Sequence, residues 1–230
     1  GVGSASYANN AVAAVAGVVT FTGLTVTYTA TADVETFALQ ADDTGAGAEG
    51  DLPTVNTSNL SSDVLATQMV FTTQPSPLAG ISGAVLDFST DPVLEARDAS
   101  GLKDTDFTDT VTLTETGAGS ATYANNAVAA VAGVVTFTGL TVTYTATADG
   151  ESFDLQADDT GAGAEGDLSA VNTSSLSTDV VATQMVFTTQ PAPLSSVSGV
   201  SLDFSADPVL EARDAAGVKD TDFTDTVTLT

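Results

Sequence analysis

The chain has 230 residues, 43% of them hydrophobic, with no cysteine, histidine or tryptophan and with 30 acidic residues against four basic ones. A net charge of −26 excludes a nucleic-acid partner, since nothing here can neutralise a phosphate backbone, and it disfavours contact with anionic membranes. Without His or Cys, the Ser-His-Asp, Cys-His and zinc-hydrolase chemistries are closed, and so are disulfides and thiolate metal sites.

Along the chain, YANNAVAAVAGVVTFTGLTVTYTATAD runs from Tyr7 to Asp33 and returns unchanged from Tyr123 to Asp149, a displacement of about 116 residues. At that displacement residues 1–114 fall on 117–230, with roughly five positions in six identical. A repeat of this length is domain-sized. Residues 1–10 match 117–126, which follow directly on a strand-like TVTLTE, and Thr230 matches Thr114. The expected organisation is therefore the C-terminal half of one unit over 1–66, a complete unit over 67–182, and the N-terminal half of the next over 183–230. The chain reads as a window on a longer tandem array, in which neither half buries its apolar face alone.

Abundant Val and Thr favour strands, and the complete unit predicts about eight of them. QMVFTT (68–73) ends at the turn signal QPSP. Residues 83–88 alternate, with Ala84, Leu86 and Phe88 on one face, and in 92–97 Leu94 and Ala96 point inward while Glu95 and Arg97 pair outside. An acidic turn (98–109) leads to TVTLT (110–114). The Ala-rich run 121–131 has helical character, but its Val density and Gly133 predict a poorly regular strand. Residues 133–137 and 140–145 are strands separated by a Thr-Gly bend, and 152–157 alternates with Phe153 and Leu155 inward. The Gly-rich acidic loop 158–167 precedes a last strand near 176–182. Strands at this spacing without helices predict a β-sandwich.

MVFTTQP (69–75), PVLEARDASG (92–101), TDFTDTVTLT (105–114) and GVVTFTGL (133–140) span most of the unit. In that order they resemble the immunoglobulin-like (Big/cadherin-like) tandem repeats of giant bacterial surface proteins and adhesins. The resemblance implies an all-β chain of tandem immunoglobulin-like β-sandwich domains arranged end to end, acting as a non-catalytic extracellular or cell-surface spacer. The chain departs from the common form in its longer 158–170 loop and its greater acidity.

Other chemistries find little support. A carboxylate pair can hydrolyse glycosides, but here the acids lie in turns and no Trp stacks a sugar. DDTGAGAEGD (42–51 and 158–167) lacks the Lys and the following helix of a phosphate loop. Lys103 and Lys219 sit in a KDTD turn rather than where an isopeptide link would be buried. Asn56, Asn59 and Asn172 stand in N-x-S/T sequons, a pattern short enough to arise by chance.

Clustered carboxylates in Gly-containing turns suit a hard cation such as Ca2+. In the immunoglobulin-like order the turn with Asp98, Asp104 and Asp106 and the loop with Asp158 and Asp159 lie at the end where the chain enters a unit. Asp33 and Glu35 of the preceding unit are expected to face them, and Asp149 and Glu151 to face Asp214, Asp220 and Asp222 at the next junction. The alternative is a solvated acidic coat.

The resulting expectation is a structural repeat of an adhesin stalk whose partners are neighbouring repeats of the same chain. Self-association into an extracellular filament or sheath, by strand exchange or lateral packing, is the second reading. A sugar- or protein-binding adhesin tip is disfavoured by the missing Trp and the scarce basic residues.

Overall fold

A computed structural model describes residues 1–230 as an all-β chain with no helix. Residues 1–66 carry β1 (Ser4–Ala8), β2 (Thr25–Thr29), β3 (Glu35–Phe37), β4 (Gln40–Ala41), β5 (Val55–Asn56) and β6 (Leu60–Ser62). The central segment carries β7 (Gln68–Thr73), β8 (Ala79–Ile81), β9 (Val85–Asp87), β10 (Val93–Arg97), β11 (Thr110–Glu115), β12 (Ser120–Ala124) and β13 (Ala127–Ala129). It continues with β14 (Val134–Thr136), β15 (Thr141–Thr145), β16 (Ser152–Phe153), β17 (Leu155–Asp159), β18 (Val171–Asn172) and β19 (Leu176–Asp179). β20 (Gln184–Thr189) and β21 (Val209–Arg213) lie in the last segment.

Within 67–182 the strands form two sets. One runs β7-β10-β14 and continues as β9-β15-β12, because residues 85–97 and 134–145 each supply two successive strands. The other runs β13-β11-β17-β18 and continues as β8-β19-β16. All pairings are antiparallel except β8 with β19. Both sets feed one core, as in a β-sandwich: Met69, Leu94, Val135 and Val142 from the first, Val111, Leu113, Leu155 and Leu176 from the second.

The alternation seen in the sequence explains the burial. Leu94 and Ala96 are fully buried while Glu95 and Arg97 pair at 2.6 Å on the outer face. The Ala-rich run is irregular for a topological reason. β12 pairs with β15 in one set, β13 pairs with β11 in the other, and Asn125 turns the chain between them at φ 59°. Two elements had no counterpart among the expected strands: β8, three residues including Gly80, and the two-residue β18.

The flanking copies fold differently from the centre although their sequence is nearly the same. Four ladders of the central unit lie wholly within 67–114 or within 117–182: β7–β10, β12–β15, β16–β19 and β17–β18. All four recur in the flanks, as β20–β21, β1–β2, β3–β6 and β4–β5. Five ladders join the two halves: β10–β14, β11–β13, β11–β17, β9–β15 and β8–β19. None of these five has a counterpart in the flanks, and residues 11–13, 18–20, 195–197, 201–203 and 226–230 are not strand there. A backbone run that meets no partner has no ladder to join.

Candidate functional site

The two places where one copy meets the next are built alike. The turn after β2 carries Asp33, whose Oδ1 accepts from Val34 N–H at 2.7 Å and from Val64 N–H at 2.9 Å, beyond β6. Its Oδ2 accepts from the backbone N–H of Thr105 at 2.8 Å and from the Thr105 hydroxyl at 2.5 Å. One carboxylate thus ties the exit of the first copy to the acidic turn of the second. Asp104 holds the connector from the other side: its Oδ2 accepts from Ala66 N–H at 2.8 Å, and its Oδ1 from Phe107 N–H at 2.9 Å.

The next junction repeats the ties from one copy to the next, although Asp220 Oδ1 is buried without a hydrogen-bond partner where Asp104 Oδ1 takes Phe107 N–H. Asp149 accepts from Val180 N–H and from Thr221 N–H, both at 2.9 Å, and from the Thr221 hydroxyl at 2.5 Å; Asp220 accepts from Ala182 N–H at 2.8 Å.

Carboxylates crowd at both junctions. Single oxygens of Asp33, Asp104 and Asp106 lie within 4.8 Å of one another, as do those of Asp149, Asp179 and Asp222. Asp106 is pushed up to about 6, by its contact with Asp104, by burial, and by the negative charges of Asp63, Asp104 and Asp33. Asp222 is raised by Asp220 and then by the charge of Asp179. The neighbouring Asp149 moves the opposite way, to about 2, chiefly because the Thr221 hydroxyl donates to it. Burial acts to raise Asp33, but the donors from Thr105 and Val64 outweigh it and leave its carboxyl below the usual range.

Of the carboxylates expected at the junctions, the structure brings together Asp33, Asp104 and Asp106 at the first, and Asp149 and Asp222 at the second, where Asp179 is the third member of the cluster and Asp220 contacts Asp222 alone among them. It places Glu35 elsewhere. That carboxylate accepts from Tyr28 Oη at 2.5 Å, Thr31 N–H at 2.8 Å and Gly3 N–H at 2.7 Å, closing its own copy. Glu151 does the same through Tyr144, Thr147 and Gly119, and is held at about 2: burial raises it, and the Tyr144 and Thr147 donors more than offset that. Asp98 and Asp214 belong to tight turns, accepting from Leu102 N–H and Val218 N–H at 2.8 Å each.

Asp158 and Asp159 form a separate cluster with Asp167, in which Asp159 accepts from Gly161 and Leu168 N–H at 3.0 Å and closes the Gly-rich loop. Asp63, Asp179, Thr105 and Thr221 went unread in the sequence. Their signal was position: each recurs at the same place in the two copies, and Thr105 and Thr221 each stand between two acids already singled out.

No protein-family model matches the chain, and no curated protein matches it.

Proposed function

We propose that this chain is a non-catalytic structural repeat of a long extracellular surface protein, an adhesin stalk or spacer of tandem immunoglobulin-like β-sandwiches. Residues 1–66, 67–182 and 183–230 are the second half of one repeat, a whole repeat and the first half of the next. The observation that carries this reading is the duplicated junction: Asp33–Thr105 and Asp149–Thr221, with Ala66–Asp104 and Ala182–Asp220, use the same atoms at nearly the same distances. A spacer needs one joint copied many times, whereas a recognition module concentrates unusual residues in one place. The strand order supports the immunoglobulin-like assignment, with the first strand run split between both sheets and its second part parallel to the last strand. The extracellular placement rests on the sequence resemblance.

Calcium at the junctions is part of the same reading. The donors fit a hard cation, since each cluster offers three anionic oxygens at close range, and Asp106 stands among like charges that a cation would offset. Asp33, Asp104 and Asp106 would hold the ion at one junction and Asp149, Asp179 and Asp222 at the other. A bound ion there would neutralise the crowded carboxylates and stiffen the joint.

Thermal unfolding and small-angle scattering with Ca2+ or EGTA at equal ionic strength test both claims. The expected result is a higher Tm and a longer particle with Ca2+, lost in Asp106→Asn combined with Asp222→Asn. An unchanged Tm and length would remove calcium from the reading. A particle that stays bent and loose in Asp33→Ala with Asp149→Ala, against a stiff parent, would support the hydrogen-bonded joint independently.

A further inference from the structure

On the surface of the central unit an amide, two serines and a carboxylate meet. Gln74 follows β7, and its side-chain Oε1 accepts from the backbone N–H of Ser174 at 2.8 Å, across 100 positions of chain. Ser175, the next residue, donates its hydroxyl to Asp154 Oδ1 at 2.5 Å. The other oxygen of that carboxylate accepts from Asn172 Nδ2 at 3.2 Å, and Asn172 Oδ1 accepts from Gln156 Nε2 at 3.1 Å. The fold makes this meeting: β18 pairs with β17, which sets Asn172 opposite Gln156, and the chain from β18 to β19 carries both serines.

The roles are those of acyl transfer. A hydroxyl held by a carboxylate that a third group orients is an activated nucleophile. A backbone N–H on the amide oxygen stands where an oxyanion donor belongs. The two copies differ here in a paired way. Ala38 and Asn59 occupy the positions of Asp154 and Ser175 in the first copy, so nucleophile and base are exchanged together, whereas Gln40, Asn56 and Ser58 repeat Gln156, Asn172 and Ser174.

We propose that Ser175 and Gln74 join in an intramolecular ester that the chain forms by itself. Ser175 Oγ attacks Gln74 Cδ and gives its proton to Asp154. The charge that develops on Oε1 is held by the Ser174 N–H. Asp154 returns the proton to Nε2, the Cδ–Nε2 bond breaks, and ammonia leaves. One C–O bond replaces one C–N bond, with no oxidant, reductant or co-reactant. Ser175 is one residue from the donor to Oε1, about 3.8 Å between Cα atoms. Gln74 is exposed, so turning its side chain brings Cδ to the hydroxyl. Each chain reacts once, without turnover, so the bond goes beyond the spacer reading and does not depend on it. It ties the end of β7 to the start of β19, the first and last strands of the unit, and leaves the unfolded chain fewer conformations.

Intact mass and peptide mapping of the folded full-length chain test this. The expected chain is about 17 Da lighter than its sequence, the mass of ammonia lost when the hydroxyl displaces the amide. Digestion should release a branched peptide that joins Gln74 to Ser175 and opens in hydroxylamine. Ser175→Ala and Gln74→Ala are each expected to keep full mass and to melt below the parent. Both positions are exposed, and a cooperative melt shows that the variants fold. Asp154→Asn, which removes the base, should stay largely at full mass where the parent is linked.

A folded parent at full mass overturns the proposal, and so does a link that survives Ser175→Ala or forms as completely in Asp154→Asn. A mass loss that maps to an asparagine, as a succinimide gives, also overturns it. So does conversion of the Gln74 amide to an acid, a gain of about 1 Da in that peptide, which would show water acting in place of the hydroxyl.

Discussion

Gly133 and Gly17 are the same residue in two settings. Gly133 stands at φ +72°, and a Cβ there would lie 1.8 Å from the carbonyl oxygen of Asp104. Around Gly17, also at positive φ, nothing approaches within 4 Å. Both sites pay the left-handed cost of a side chain, about 1–2 kcal/mol, but only one adds a backbone collision. Gly133→Ala is therefore expected to lower the central unit's stability by about 3 kcal/mol or more, and Gly17→Ala by the conformational part alone, as read from paired urea titrations.

Asp106 gives a pH signature at the same scale. Its folded carboxyl titrates near 6, above its unfolded value, so the folded state holds the proton more tightly and its contribution to stability falls as pH rises through 6. Asp106→Asn should raise Tm at pH 7.5 in EGTA, and the gain should vanish below about pH 4, where both states are protonated. Asp149 and Glu151, both held near 2, work in the other direction: their stabilisation is present above the unfolded carboxylate range and is lost as the solution is acidified toward 2.

At the scale of elements, β11 is the strand on which the sandwich depends. It pairs with β13 and β17 at once, and Val111 and Leu113 point from it into the core. Leu113→Ala is expected to cost about 2–5 kcal/mol, whereas Leu229→Ala, the same residue on an unpaired run, should cost under about 1 kcal/mol in dilute chain. Thermal melts of the two variants make the comparison.

Most strands were legible because alternation and β-branched residues report a half-buried pleat. Leu94 and Ala96 against Glu95 and Arg97 show this most clearly. β8 was not, since a short Gly-containing stretch is defined by a parallel partner nearly a hundred residues away. The junction acids were legible in part. Asp33, Asp104 and Asp106 stood out as clustered charge, but charge alone could not separate Asp33, which reaches the next copy, from Glu35, whose partner is Tyr28 across the same turn. Asp63 is a single acid at a strand end, and only the fold brings it near the others.

For the whole molecule, a charge of −26 sets the solution behaviour. Arg97 and Arg213 are the only basic residues in ion pairs, each with a glutamate two positions before it on its own strand, so no basic side chain pairs with a carboxylate of the neighbouring copy. Monovalent salt should raise Tm steadily from about 10 mM and level off toward 1 M, as the screening length shrinks from about 30 to about 3 Å. A divalent ion acting only through screening would track ionic strength, and one acting at the junctions would exceed it at millimolar concentration.

The parallel pairing of β8 with β19 has a mechanical consequence. Those strands lie near the entry and exit of the central unit, bracketed by Ser177 N–H to the Leu78 carbonyl at 2.9 Å and Ser82 N–H to the Asp179 carbonyl at 2.8 Å. Tension along a tethered chain pulls β8 toward its beginning and β19 toward its end. Parallel neighbours drawn in opposite directions slide past each other, so the ladder is loaded in shear, with its bonds strained together rather than peeled one at a time. A string of such units would yield one abrupt step at a time, dissipating the work of a sudden pull while the remaining units kept their length.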